Sequence, residues 1–162
     1  MTDTLKSICE QCPRLSNPQL GFIPDDLPRH RHIIERDLHE LVAAASAGLE
    51  KSVVLLAGSI LEALLYSFLL GQAAYIAKRR GSFTFNPNHS LQNYKQIFNR
   101  WFSDSLPGAV LPDYIVDFRD LVHINRELAS TPGICSDAAR SLVRTINTLL
   151  GELEGFAGPN TP

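Results

Sequence analysis

The sequence is short of cysteine, has no excess of basic residues, and lacks the glycine-rich and histidine-rich signatures of the common enzyme classes. Each shortage excludes something. Cys9, Cys12 and Cys135 are the only cysteines, and an odd count without a signal peptide predicts reduced thiols rather than a disulfide framework. Residues 1–12 hold no apolar stretch and no cleavage motif, so the chain reads as cytoplasmic. The formal net charge is −2, so any contact with nucleic acid must come from a local patch. There is no glycine-rich phosphate loop, no G-x-S-x-G elbow and no H-E-x-x-H. Nucleotide hydrolases, esterases and metalloproteases of the usual kinds therefore lack support. Cys9-x-x-Cys12 and His30-x-His32 have the composition of a zinc site, but the histidine spacing is too tight. No metal and no cofactor is expected. His32, Glu35 and His39 share a helix face and read as surface residues.

What is present is helical periodicity. Strand-period segments, internal repeats and low-complexity tracts are absent. At 162 residues the length suits one domain. Pro13, Pro18 and Pro24 break up residues 1–24, which read as an arm with one turn of helix near residues 5–9. Residues 25–154 read as the bundle and 155–162 as a flexible tail. Asp25 and Asp26 are placed to cap a helix over 29–47, with Ile34, Leu38, Leu41, Val42, Ala45 and Leu49 along one stripe and Gly48 as its break.

The next segment, 50–79, is apolar on all sides over residues 53–70 apart from Ser67 and one polar stripe, Ser59, Glu62 and Tyr66, spaced i, i+3, i+7. A central carboxylate would cost on the order of 3 kcal/mol in lipid, so a buried core helix explains the run better than a membrane span. A helix apolar all round must be buried all round, by its own bundle or by a second subunit, and that predicts a homodimer. Lys78, Arg79 and Arg80 complement the helix dipole, and Gly81 closes the helix. Ser90 should cap a third helix through Phe102, with Leu91, Tyr94, Ile97, Phe98 and Trp101 inward. A fourth helix is expected over 112–128 and a fifth after Ser136, with Ala139, Leu142, Val143, Ile146, Leu149, Leu150 and Leu153 as its apolar stripe. The fold class is all-α, a four- to five-helix antiparallel bundle.

The fourth helix carries the residues most suited to chemistry. Arg119, His123 and Arg126 fall within about 60° of one another on the helical wheel, flanked by Asp120 and Glu127. Histidine can move a proton near neutral pH, and arginine can hold a phosphate. The same residues can equally form a solvated charged face. Glu62 would be costly in so apolar a helix unless paired, with Arg119 or Arg126, or against His123.

The order SVVLLAGSILEALLYSFLL, DFRDLVHINREL and SDAARSLVRTINTLLGEL resembles the HEPN superfamily (higher eukaryotes and prokaryotes nucleotide-binding). The likeness runs over about residues 29–154. It implies an all-α bundle that dimerises with its Arg/His helices face to face. Nuclease members cut RNA without metal, and the corresponding residues here would be Arg119 and His123, with Asp120, Arg126 and Glu62 in support. Three residues separate Arg119 from His123, against four to six in those nucleases. The resemblance therefore implies two functions: a metal-independent RNA endonuclease of the defence or toxin kind, or a non-catalytic module. Such a module would bind a partner protein, such as a nucleotidyltransferase or an immune effector.

Overall fold

The computed structural model describes residues 4–120 and 134–156, with residues 118–120 and 134 described by their helix alone. Among the described residues there are seven α-helices, two 3-10 turns and no strand. The helices are α1 (Leu5–Glu10), α2 (Pro28–Ser46), α3 (Glu50–Gly71), α4 (Ala73–Arg80), α5 (Leu91–Phe102), α6 (Tyr114–Asp120) and α7 (Ile134–Gly155). The chain is all-α, as its periodicity predicts.

Helix α3 is the axis of the molecule. Helices α2, α5, α6 and α7 all pack on it, and Val53, Val54, Ile60, Leu61, Leu64, Leu65 and Phe68 are fully buried. It is long and apolar enough to cross a membrane, yet four helices of its own chain cover it. Leu55 is the large apolar side chain of α3 left exposed. Phe68 holds the lower core together, with ring centroids 4.9 Å from Phe102, 5.4 Å from Phe156 and 5.6 Å from Phe98.

The antiparallel arrangement holds for the α2–α3 hairpin, turned at Gly48 with φ +71°. It does not extend to the rest. Tyr94 meets Tyr66 while Phe102 meets Phe68, so α5 runs in the same sense as α3. Helix α7 does too: Arg140 lies near Gly48 and Glu50, and Phe156 reaches Phe68. The loop over 81–90 joins α4 to α5.

Four boundaries differ from the sequence reading. Residues 4–24 are packed rather than an arm: α1 and a 3-10 turn at Pro13–Leu15 bury Leu5, Ile8, Cys9, Cys12, Leu15, Leu20 and Ile23. Arg14 ties this segment to α7 through a 2.9 Å ion pair with Glu154, and its amide donates to Asn147 at 3.2 Å. Neither Asp25 nor Asp26 caps α2, which starts at Pro28 behind Leu27 without a side-chain cap; Asp25 instead accepts from Arg31 at 3.4 Å. The helix expected over 50–79 is two, parted at Gln72, and a side chain at Gly71 would stand 3.1 Å from Pro24. Leu49, expected on the buried stripe, is exposed. Ser136 lies inside α7 rather than capping it.

Candidate functional site: an aromatic cleft on the polar stripe of α3

Ser59, Glu62 and Tyr66 are the polar interruption in α3, and their i, i+3, i+7 spacing puts them on one face. Ser59 is exposed, and Glu62 and Tyr66 are half-buried. They open into a cleft of about 330 Å³, closed by His30 and Ile33 from α2, Tyr94 from α5 and Pro87 from the intervening loop. This volume is in the range of small-ligand sites, which are concave, mainly apolar and furnished with a few polar groups.

The walls are built from rings. Tyr66 meets Tyr94 nearly at right angles, with centroids 5.9 Å apart, and meets Phe85 edge-on at 5.0 Å. Phe85 stacks parallel to Tyr94 at 5.9 Å, and the His30 ring lies 5.1 Å from Tyr66. Edge-to-face and offset pairs of this kind fix ring orientation beyond what area burial does. His30 is held from behind: its Nδ1 lies 3.2 Å from the buried Ser67 hydroxyl, in a hydrogen bond whose direction follows the tautomer. Tyr94 donates its hydroxyl to the Asn86 carbonyl at 3.3 Å. Burial, and then the negative charge of Tyr66 and Glu62 nearby, push the Tyr94 hydroxyl above its ordinary pKa, so it remains a donor at neutral pH. His89 stands 5.8 Å from Tyr94, and its buried Nδ1 has no hydrogen-bond partner among the described residues.

Among the described residues the lining holds a carboxylate, two phenols, an imidazole and two hydroxyls. It can stack on a planar or methylated group and accept hydrogen bonds at Glu62.

The residues named from sequence fare unevenly. Glu62 lies in the cleft with Ser59 and Tyr66, as their spacing predicts. Arg119 and Asp120 end α6, which packs on α3 and α7. His123 and Arg126 lie outside the described residues, and so do the contacts of the Arg119 side chain. His32 and His39 are exposed. Cys9 and Cys12 are buried, and burial followed by the neighbouring Cys12 pushes the Cys9 thiol to about 11. A thiol so disfavoured as thiolate is a poor metal ligand.

Sequence reasoning missed His30 and Tyr94 as site residues. His30 stands four residues before Ile34, on the upward extension of the α2 core stripe, so a polar ring there was a legible signal. Tyr94 is the one hydroxyl-bearing residue on the inward stripe of α5. No protein-family model, no curated protein and no solved structure matches this chain.

Proposed function

We propose that this chain is a HEPN-like helical recognition domain, non-catalytic, that takes a small group of a ligand or partner protein into the Glu62 cleft. One observation carries this reading. The most apolar helix of the molecule keeps its polar residues on a single stripe, and that stripe opens into a ring-walled cleft instead of being sealed in the core. The test is a titration of the 15N-labelled protein with a panel of small polar fragments. Saturable shifts are expected at Ala63, Tyr66 and Tyr94. The variant Ser59→Trp, which fills the mouth from an exposed position, should lose them while folding normally. Shifts that persist in Ser59→Trp, or that never localise to the cleft, would sink the reading.

A second reading is supported by the packing of α6 on α3. Arg119 stands on a helix that rests against the Glu62 helix. In this reading the chain is a homodimeric, metal-independent RNA endonuclease. His123 takes the 2′-hydroxyl proton as that oxygen attacks phosphorus, Arg119 holds the phosphate, and the 5′-oxygen departs with a proton. Cleavage of RNA in EDTA, lost in both Arg119→Ala and His123→Ala with the fold intact, is the outcome it requires. No cleavage by the wild-type protein removes it.

A further inference from the structure

We infer that the end of the bundle formed by α4 and the last turn of α5 is a docking surface for a single-stranded nucleic acid. Lys78, Arg79, Arg80 and Arg100 meet its phosphates, and its bases stack on the two arginines that lie against rings. This surface depends on neither the Glu62 cleft nor Arg119, and neither reading of the function uses it.

Charge is segregated along the chain. The whole chain carries a formal net charge of −2, yet residues 63–103 hold five lysines and arginines and no aspartate or glutamate. Mixed signs are the ordinary state of a surface, and a long stretch of one sign builds a field that draws in the opposite charge. Lys95 is used inside the fold, buried and bound to Asp113. Lys78, Arg79, Arg80 and Arg100 are exposed, and among the described residues none of them meets a carboxylate. The helix dipole accounts for a cation in the last turn of α4 and of α5. It does not account for the missing acids, which return only at Asp104, exposed just beyond α5.

Packing brings the four cations to one end. The Tyr75 ring of α4 lies 5.9 Å from that of Phe102, the last residue of α5. Arg79 stands over the Tyr75 ring at 4.7 Å, and Arg100 over the Trp101 ring at 5.5 Å. A guanidinium seated on a ring is held flat, and the outer face of an exposed one is open to a second planar group. An unstacked base is such a group, whereas a base paired inside a duplex cannot reach it. Lys78, Arg79 and Arg80 hold successive positions and fan over about 200° of the helix circumference, which suits a flexible chain of phosphates. Uncharged hydrogen-bonding groups lead away from the cluster. Asn93 and Gln96 are exposed and share one face of α5 with Arg100, at i, i+3, i+7 spacing. Cations and amides are the side chains that contact phosphate and sugar. The large apolar side chains left exposed are Ile33, Leu49, Leu55, Val110 and Tyr114, none of them on α4 or α5. This end therefore offers no apolar face for a lipid surface.

The test is a fluorescence titration of the full chain with a mixed-sequence 2′-O-methyl oligoribonucleotide of about twelve nucleotides. That probe has no 2′-hydroxyl, so it cannot be cut by attack of that oxygen. Trp101 is the only tryptophan, and its emission reports on this end of the bundle. Saturable quenching is expected, weakening with salt along a log–log slope of about −3, as four phosphate contacts on a single strand imply. Replacing Lys78, Arg79 and Arg80 together by Gln should weaken binding at least about tenfold and flatten the slope by about 2. Arg100→Gln, on the other helix, should flatten it by about 0.7. Arg79→Lys combined with Arg100→Lys keeps the charge and loses the planes, so affinity should fall about fivefold at an unchanged slope. Lys6→Gln, exposed at the opposite end of α3 beside Gly48 and Glu50, should change nothing. Thermal melts check that each variant folds. Equal binding of the matching duplex overturns the single strand. Tighter binding of polyglutamate gives the face to an acidic protein segment, and preference for phosphatidylserine vesicles gives it to a membrane; either overturns the nucleic acid. Absence of quenching at low salt overturns it as well, and no result at the Glu62 cleft bears on it.

Discussion

Cys9 and Cys12 show how burial sets reactivity residue by residue. Both side chains are nearly inaccessible, and both thiols are pushed above their ordinary value, Cys9 to about 11. The sign follows from linkage: the folded state favours the protonated thiol, so stability is intact near neutral pH. It falls as pH rises from the ordinary thiol value toward about 11, where the unfolded chain ionises first. Cys135, by contrast, is half-exposed. At pH 8 a disulfide reagent such as Ellman's should therefore label Cys135 first, with Cys9 and Cys12 reacting only on denaturation. Three thiols reacting together in native protein would contradict the packing of α1. The same scale explains the site residues. Glu62 was legible because a carboxylate in an apolar helix stands out, whereas Tyr94 shares the spacing of a core residue and differs from one only by its hydroxyl.

Elements were legible wherever their ends are written locally. Helix α5 begins after Ser90, whose hydroxyl accepts from the Asn93 amide while the Asn93 side chain accepts from the Ser90 amide, a complete capping box. Ser90→Ala should cost about 1 kcal/mol, read as a lowered midpoint in urea with unchanged slope. An unchanged midpoint would mean that α5 is held by packing alone. Because α5 carries Tyr94, the same change should also loosen one wall of the cleft. Helix α4 ends as its sequence predicts, with Gly81 at φ +84° behind Lys78, Arg79 and Arg80. Boundaries decided by distant contacts were not legible. The break between α3 and α4 sits where Pro24 presses on Gly71, a meeting that helical periodicity cannot reveal. At the head of α2 the local signal misleads, since Asp25 is taken up by Arg31 and Pro28 opens the helix with its φ already set.

At the scale of the whole molecule, the largest departure from the sequence reading is the N-terminal segment. Its prolines break periodicity and suggest an arm, yet Leu5, Ile8, Leu15, Leu20 and Ile23 are all buried. Each such side chain contributes about 1.5–3 kcal/mol, so together they rival the entire net stability of a typical domain, about 5–15 kcal/mol. A chain beginning at residue 21 should lose its cooperative thermal transition by circular dichroism. A melt like that of the full chain would show that the segment is ornamental. Most of the apolar surface of α3 is likewise covered inside the chain, by α2, α5, α6 and α7, with Leu55 left half exposed. The nuclease reading would place a homodimer at the α6 end with Arg119.

The tie between the first residues and the last helix also governs when the protein can come into being. Arg14 and Gln19 are anchored on Glu154, about 135 to 140 positions later in the chain. During synthesis residues 5–23 emerge well before α7 and hold their apolar side chains unsatisfied until α7 has been made. Contacts so distant in sequence slow folding, because the closure entropy is met before the contacts reward it. A product that stops short of α7 would leave this segment without its partner and open to proteases.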